Sequence, residues 1–351
     1  MKTSSDSESR SKGDAAVADP EVIIRPYARH FVEWAKDKPD VLCLSADLTG
    51  SCEVDDFRDA YPDRFISCGM AEQNMMAFAG GLAREGFIPI VHTFGVFVTR
   101  RPYDQVAMSI GYPNLKVRLM GFLPGVMTPG GVTHQAIDDV ALMRSIPNMT
   151  VLACGDATDV ESILEVTEDI DGPVYCRVLR GEVQKLFDTP MRLDRARLLS
   201  EGTDVCVLTE GVCTSEALHA VAALREKGVS VSHLHVSTLK PFTDPAILEA
   251  VAGVRFGIIT MENHLVSGGL GTVTSELITD HGLGKRLVRI GLRDTYAHGG
   301  SLRYLMDYYG LSAQNLVDEV ERLIERPLGI KLGPRPVEKS ESAAPANAES
   351  L

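Results

Sequence analysis

The sequence predicts an α/β protein of two consecutive domains, each a mostly parallel sheet flanked by helices. Three observations predict it. The chain has 351 residues, enough for about two ordinary domains at roughly 100 to 200 residues each. Short runs of β-branched and aromatic residues alternate with longer segments of helical period, the pattern of parallel strands joined by crossover helices. That alternation breaks over residues 185–199 (KLFDTPMRLDRARLL), which show neither a clear period nor a run of β-formers, and it restarts at Asp204.

Residues 1–20 are rich in Ser, Ala and charged side chains with almost nothing large and apolar to bury, so a disordered tail is expected there. A first domain follows over residues 21–190. Its strand candidates are residues 41–45, 65–68, 87–92, 115–120, 150–154 and 174–179. Pro89 lies in the third, and because proline cannot donate to a central ladder, that strand is expected to begin late or to sit at an edge. The second domain covers residues 200–328, with strands near 205–208, 229–235, 256–261 and 288–290. In its last helix Leu316, Val320, Leu323 and Ile324 form one apolar stripe that docks on a sheet. Residues 329–351 are expected to be a second disordered tail.

Composition narrows the function. Lys plus Arg number 35 against 48 Asp plus Glu, a net charge of −13 with no basic cluster. That charge repels phosphate backbones and anionic membranes, so neither a nucleic acid nor a membrane is an expected partner. The seven cysteines are odd in number, lie mostly in apolar runs and form no C-x-x-C pair, which reads as reduced, buried thiols. No secretory signal and no run of about 18 apolar residues is seen, so a cytoplasmic, soluble protein is expected.

Three segments carry candidate chemistry. In the first, Cys68-Gly69-Met70-Ala71-Glu72, a strand ends in glycine and a helix begins with an acid; on its own Glu72 reads first as a first-turn carboxylate complementing the helix dipole. Ala77, Gly80 and Gly81 follow as a bare helix face suited to close packing on another chain. In the second, His92-Thr93-Phe94-Gly95-Val96-Phe97, two aromatics three apart line either a flat pocket or the core. The third, Met127-Thr128-Pro129-Gly130-Gly131-Val132-Thr133-His134-Gln135, is a glycine-rich loop presenting a histidine. Gly268 to Gly271 lacks the G-x-G-x-x-G spacing and reads as a turn leading into a helix, and Gly155-Asp156-Ala157 reads as a capping turn.

These segments, in this order and spacing, resemble the pyrimidine-binding domain of the transketolases, and the resemblance runs from about Val22 to Ile324. The matching words are Ser45-Ala46-Asp47-Leu48, Gly69-Met70-Ala71-Glu72, Thr93-Phe94, Thr133-His134-Gln135 and Ser145-Ile146-Pro147-Asn148-Met149. In the second domain Thr238-Leu239-Lys240-Pro241-Phe242 and Glu262-Asn263-His264 are similar to the corresponding region of transketolases and deoxyxylulose phosphate synthases. The Gly-Asp-Gly and Asn-Asn segments with which this family holds the diphosphate through Mg²⁺ are missing. The resemblance therefore implies a partner: an amino-terminal transketolase subunit carrying the metal and diphosphate half, in a heterotetramer of two copies of each chain. Alone, this chain is expected to form at most a dimer.

The resemblance implies thiamine diphosphate as cofactor, shared with the partner, Mg²⁺ ligated on the partner, and no metal site in this chain. It implies that Glu72 bonds a pyrimidine ring nitrogen and favours the imino tautomer that deprotonates the thiazolium. It also implies that Phe94 and Phe97 pack on the aminopyrimidine, that Asp47 and Leu48 lie near the cofactor, and that His134 faces the reacting sugar. Arg25, Ser51 and Arg180 match family positions that hold a sugar phosphate, with Arg177 as an alternative anchor. Three positions depart from the ordinary pattern: Gly130 replaces a sugar-binding aspartate, Phe122 a phosphate-facing histidine and Arg100 a frequent tyrosine. They point to a widened pocket and an unusual sugar, branched or modified, such as apulose 4-phosphate. Two other readings stand beside ketol transfer: the β subunit of a 2-oxoacid dehydrogenase, and a non-catalytic assembly subunit.

Overall fold

The computed structural model of the chain describes residues 20–333. The expected amino-terminal tail, and the other beyond residue 333, lie outside the described residues. In the first half come β1 (Val22–Ile24), β2 (Val41–Ser45), β3 (Phe65–Ser67), β4 (Ile88–Phe94), β5 (Arg118–Phe122), β6 (Thr150–Ala153), β7 (Val174–Val178) and β8 (Glu182–Gln184). The second half adds β9 (Arg197–Ser200), β10 (Val205–Thr209), β11 (Val231–His235), β12 (Thr238–Lys240), β13 (Gly257–Leu265) and β14 (Leu287–Leu292).

The first sheet runs β12-β6-β7-β5-β4-β2-β3. All its neighbours are parallel except β12, which the second domain lends to the edge beside β6. Strands buried on both faces need side chains that are apolar both ways, which is why β2, β5, β6 and β7 are continuous buried runs. Alternate residues part to opposite faces. Leu42, Leu44, Val91, Leu119 and Val151 join one core layer, while Val41, Cys43, Ile90, Met120 and Leu152 join the other.

β4 is central, flanked by β2 and β5, so the edge position expected from Pro89 is not what the chain adopts. The reason is register. The Ile88 amide donates toward β2, to the Asp40 carbonyl at 2.8 Å, so the nitrogen of Pro89 faces the opposite side, where pairing with β5 begins only at Ile90.

The second sheet runs β14-β13-β10-β11-β9, parallel except for β9. Leu316, Val320, Leu323 and Ile324 are all buried against it, as their spacing requires. Packing continues past residue 328: Ile330 is buried, and the Leu332 amide donates to Gln314 at 2.8 Å, so chain expected to be disordered is docked here. All seven cysteines are free thiols. Burial pushes those of Cys176 and Cys206 up to about 12, too high for a reactive thiolate.

One side chain ties the domains together. Arg177, on β7 and almost wholly buried, donates to Asp139 at 2.9 Å, to both oxygens of Glu210 at 2.9 Å, and to the Asn263 carbonyl at 2.9 Å. Tyr175 donates to the same Asp139 at 2.6 Å.

Candidate active site

A parallel sheet sends every strand out at one edge, and loops that leave it there build sites jointly. Asp47, Leu48 and Ser51 follow β2, Glu72 follows β3, Phe94 ends β4, His134 lies in the loop after β5, and Arg180 stands two residues beyond β7. Sequence positions more than a hundred residues apart are thereby gathered on one edge. Asp47 is exposed with φ of 62°, a left-handed turn that ends the strand, while Leu48 packs partly on the core below.

Glu72 opens the helix Glu72–Arg84 and is 5% exposed. Its Oε1 accepts from Nη1 of Arg101 at 3.0 Å. The same guanidinium lies over the Phe97 ring, 4.1 Å from the centroid. Phe94 stacks on Phe97 at 5.9 Å, and His134 stands edge-on to both rings at 6.4 and 5.3 Å. Thr133 Oγ1 lies 2.8 Å from Nδ1 of His134 and steers the imidazole. A buried carboxylate, a flat aromatic floor and a half-buried imidazole thus form one continuous cluster, in which Arg101 is a member that the sequence reading did not single out.

A second cluster joins Arg25, Ser51 and Arg180. The short antiparallel ribbon of β1 and β8 brings the Arg25 amide to the Gly181 carbonyl at 2.7 Å. Arg180 donates to the Ser51 carbonyl at 2.5 Å. Arg25 is bonded to Asp55 and lies 3.9 Å from Asp56.

Residues 25–185 match the family described as transketolase, pyrimidine binding domain, and residues 194–316 match transketolase, C-terminal domain. The chain belongs to the transketolase family. It is 36% identical over 314 residues to an uncharacterized transketolase family protein, y4mN, of Sinorhizobium fredii, covering 88% of this chain and 91% of that one. It is 35% identical over 303 residues to the 6-deoxy-6-sulfo-D-fructose transketolase subunit SqwH of a Clostridium species (strain MSTE9), covering 86% and 94%. Among solved structures, one described as a split gene transketolase, inactive beta4 tetramer, superposes with a TM-score of 0.77 at 34% identity, covering 86% of this chain and 97% of that one.

Transketolases work with thiamine diphosphate, and the residues present fit its pyrimidine half. The Arg101 guanidinium, a flat group rich in N–H donors, rests on Phe97 while donating to Glu72, which demonstrates that floor and carboxylate together accept a planar nitrogen donor. Among the described residues no three His, Cys, Asp or Glu side chains converge as metal ligands.

Several transketolase-like positions sit differently from expectation. Arg177 is no anchor for a sugar, because its donors are spent between the domains. Phe122 is fully buried, edge-on to Tyr27 at 5.3 Å, and so belongs to the core rather than to a pocket wall. Arg100 is held by Asp138 at 3.0 Å. A Cβ at Gly130 would stand 3.1 Å from the His134 ring, so the space left by the missing side chain is taken up by that imidazole. Of the bare helix face, Gly80 packs inward, where a Cβ would meet the Ser109 carbonyl at 2.4 Å, while Ala77 and Gly81 stay exposed. Gly268 to Gly271 does lead into a helix, its Leu270 and Gly271 amides held by Glu262 at 2.8 and 2.9 Å. Asp156 caps its helix by accepting the Asp159 amide at 2.8 Å.

Proposed function

We propose that this chain is the pyrimidine-binding and carboxy-terminal subunit of a two-chain transketolase, moving two-carbon ketol units from a ketose to an aldose. The observation that carries the reading is the buried Glu72 carboxylate, joined through the Arg101 guanidinium to the Phe97 ring at the carboxyl edge of the sheet. Thiamine diphosphate, when bound, supplies the carbon nucleophile and the electron sink for breaking a carbon–carbon bond. The protein's part is positional and protonic. Glu72 Oε1 holds a proton against the ring nitrogen, and burial keeps water from competing for it. Phe94 and Phe97 fix the plane of the ring, and Asp47 and Leu48 border it. His134 donates to a sugar hydroxyl or carbonyl oxygen, and Arg25, Ser51 and Arg180 bound the far end of the sugar.

The diphosphate and its Mg²⁺ belong on an amino-terminal partner subunit, in a cytoplasmic assembly of two copies of each chain. Support comes from the split-chain relatives that this sequence covers almost end to end. By itself the chain is expected to self-associate without activity; the similar structure is described as an inactive beta4 tetramer, a larger assembly than the dimer expected from the sequence. Exposed Met70, Phe78, Met108 and Tyr112 give it the apolar surface to do so. A modified or branched sugar such as apulose 4-phosphate stays an expectation of the sequence alone, because Phe122 lies in the core and the His134 ring fills the space beside Gly130.

The test is ketol transfer by the chain reconstituted with the subunit encoded beside it. Glu72→Gln is expected to fold and assemble normally while turnover falls at least about 100-fold. Near-normal turnover of that variant would remove Glu72 from catalysis.

A further inference from the structure

The far end of the proposed sugar site carries charges that do not suit a phosphate. Arg25 is bonded to Asp55 with Asp56 beside it at 3.9 Å, and Arg180 reaches only a backbone carbonyl, that of Ser51. Between the two arginines lies Glu53, 3% exposed, whose Oε1 accepts the Gly181 amide at 2.5 Å. Its other oxygen, Oε2, is buried with no hydrogen-bond partner among the described residues. Burial pushes the Glu53 carboxyl up in pKa, opposed by the Gly181 amide, the Arg25 and Arg180 guanidinia and the Ala28 amide. Two guanidinium groups therefore face three carboxyl groups, and one buried carboxylate oxygen has the Ala28 amide near it but no donor at full hydrogen-bond geometry.

We infer that this end of the site receives an uncharged, hydroxyl-bearing terminus of the sugar in place of a phosphate ester. A hydroxyl has the O–H that Oε2 lacks and can accept from Arg180 at the same time. A phosphate dianion has only acceptors and would lie against three carboxyl groups, with Arg25 already paired to Asp55 and Arg180 alone left to face it, so both its charge and its hydrogen bonding are mismatched. The inference rests on the transketolase reading above and narrows it, placing an unphosphorylated modified sugar ahead of apulose 4-phosphate. Glu53 and Asp55 become the residues that set the preference.

The experiment uses the enzyme assembled with its partner subunit and three ketose donors with one carbon skeleton: D-fructose, 6-deoxy-6-sulfo-D-fructose and D-fructose 6-phosphate. They differ only in the group on the last carbon, which is neutral, singly charged or doubly charged. The expected order of kcat/KM is fructose, then the sulfonate, then the phosphate. Glu53→Gln and Asp55→Asn are each expected to shift the ratio toward the phosphate by roughly tenfold, the effect of removing one carboxylate beside the last carbon of the sugar. A purely structural role for either carboxylate would lower all three values together, leave the ratio unchanged and overturn the inference. Asp55, on the surface, covers the case in which Glu53→Gln does not fold. Preference for the phosphate by the native enzyme would overturn the inference while leaving ketol transfer intact; no transfer from any donor would overturn the transketolase reading and the inference with it.

Discussion

At the scale of single residues, the cluster around Glu72 is governed by what competes for its carboxylate. Arg101 is half exposed, so its bond to Glu72 is screened, and together with the contact to Phe97 it contributes about 1 kcal/mol. Arg101→Ala should therefore tighten thiamine diphosphate binding to the assembled enzyme roughly fivefold in a calorimetric titration. Weaker binding in that variant would make Arg101 a holder of the cofactor rather than its competitor. Legibility at this scale divided along burial. Glu72, Phe94, Phe97 and His134 could be found because the segments that carry them resemble transketolase motifs in order and spacing; from the residues alone Glu72 reads as a helix-dipole carboxylate and the two phenylalanines as core. Arg101 could not, because nothing local distinguishes it from Arg100, yet Arg100 turns to Asp138. Arg177 and Arg180 stand three residues apart with opposite fates, one sealed between domains and one at the edge, and a linear reading holds no record of which carboxylates await each.

Among elements, the strands that read clearly were the ones buried on both faces, where the apolar run itself is the signal. The short ribbon of β1 and β8, the antiparallel β9 and the borrowed edge strand β12 were not legible, since three or four residues carry no period and their partners lie far away in sequence. Those are also the pieces that matter for placement, because the ribbon sets Arg25 against Gly181. The turn at Gly155-Asp156 was legible as a cap, but its wider role was not. Besides the cap, Asp156 accepts the Leu186 and Phe187 amides at 2.8 Å each, fastening the segment that leads out of the first domain. Asp156→Ala should cost about 2 to 3 kcal/mol in urea unfolding, a lost cap plus two stranded amides. A loss below about 0.5 kcal/mol would mean that water satisfies them equally well.

For the whole molecule, stability is concentrated at the domain border. Arg177→Met leaves Asp139 and Glu210 buried without their shared cation and should cost about 3 to 5 kcal/mol; an unchanged unfolding midpoint would contradict that accounting. Acid should loosen the second sheet. Burial, with a smaller push from His235, holds His233 down to about 3, below its ordinary 6.5. A depressed histidine costs nothing above the unfolded value, and stability is lost as pH falls from 6.5 toward 3, because only the unfolded chain takes up the proton. Between pH 7 and 5 that amounts to about 2 kcal/mol. His233→Leu leaves the Thr209 hydroxyl bonded to Thr214 at 2.9 Å and should shrink the pH 7 to 5 difference by that amount; an undiminished difference would clear His233 of the effect. The claim on which the rest depends is that this chain supplies one half of a coenzyme site. It is tested most directly by a structure of the chain assembled with its partner and thiamine diphosphate. The account predicts the pyrimidine ring on Phe97 with its nitrogen bonded to Glu72, Arg101 swung aside and the diphosphate held wholly by the partner. A ring seated elsewhere, with Arg101 still bonded to Glu72, would contradict it.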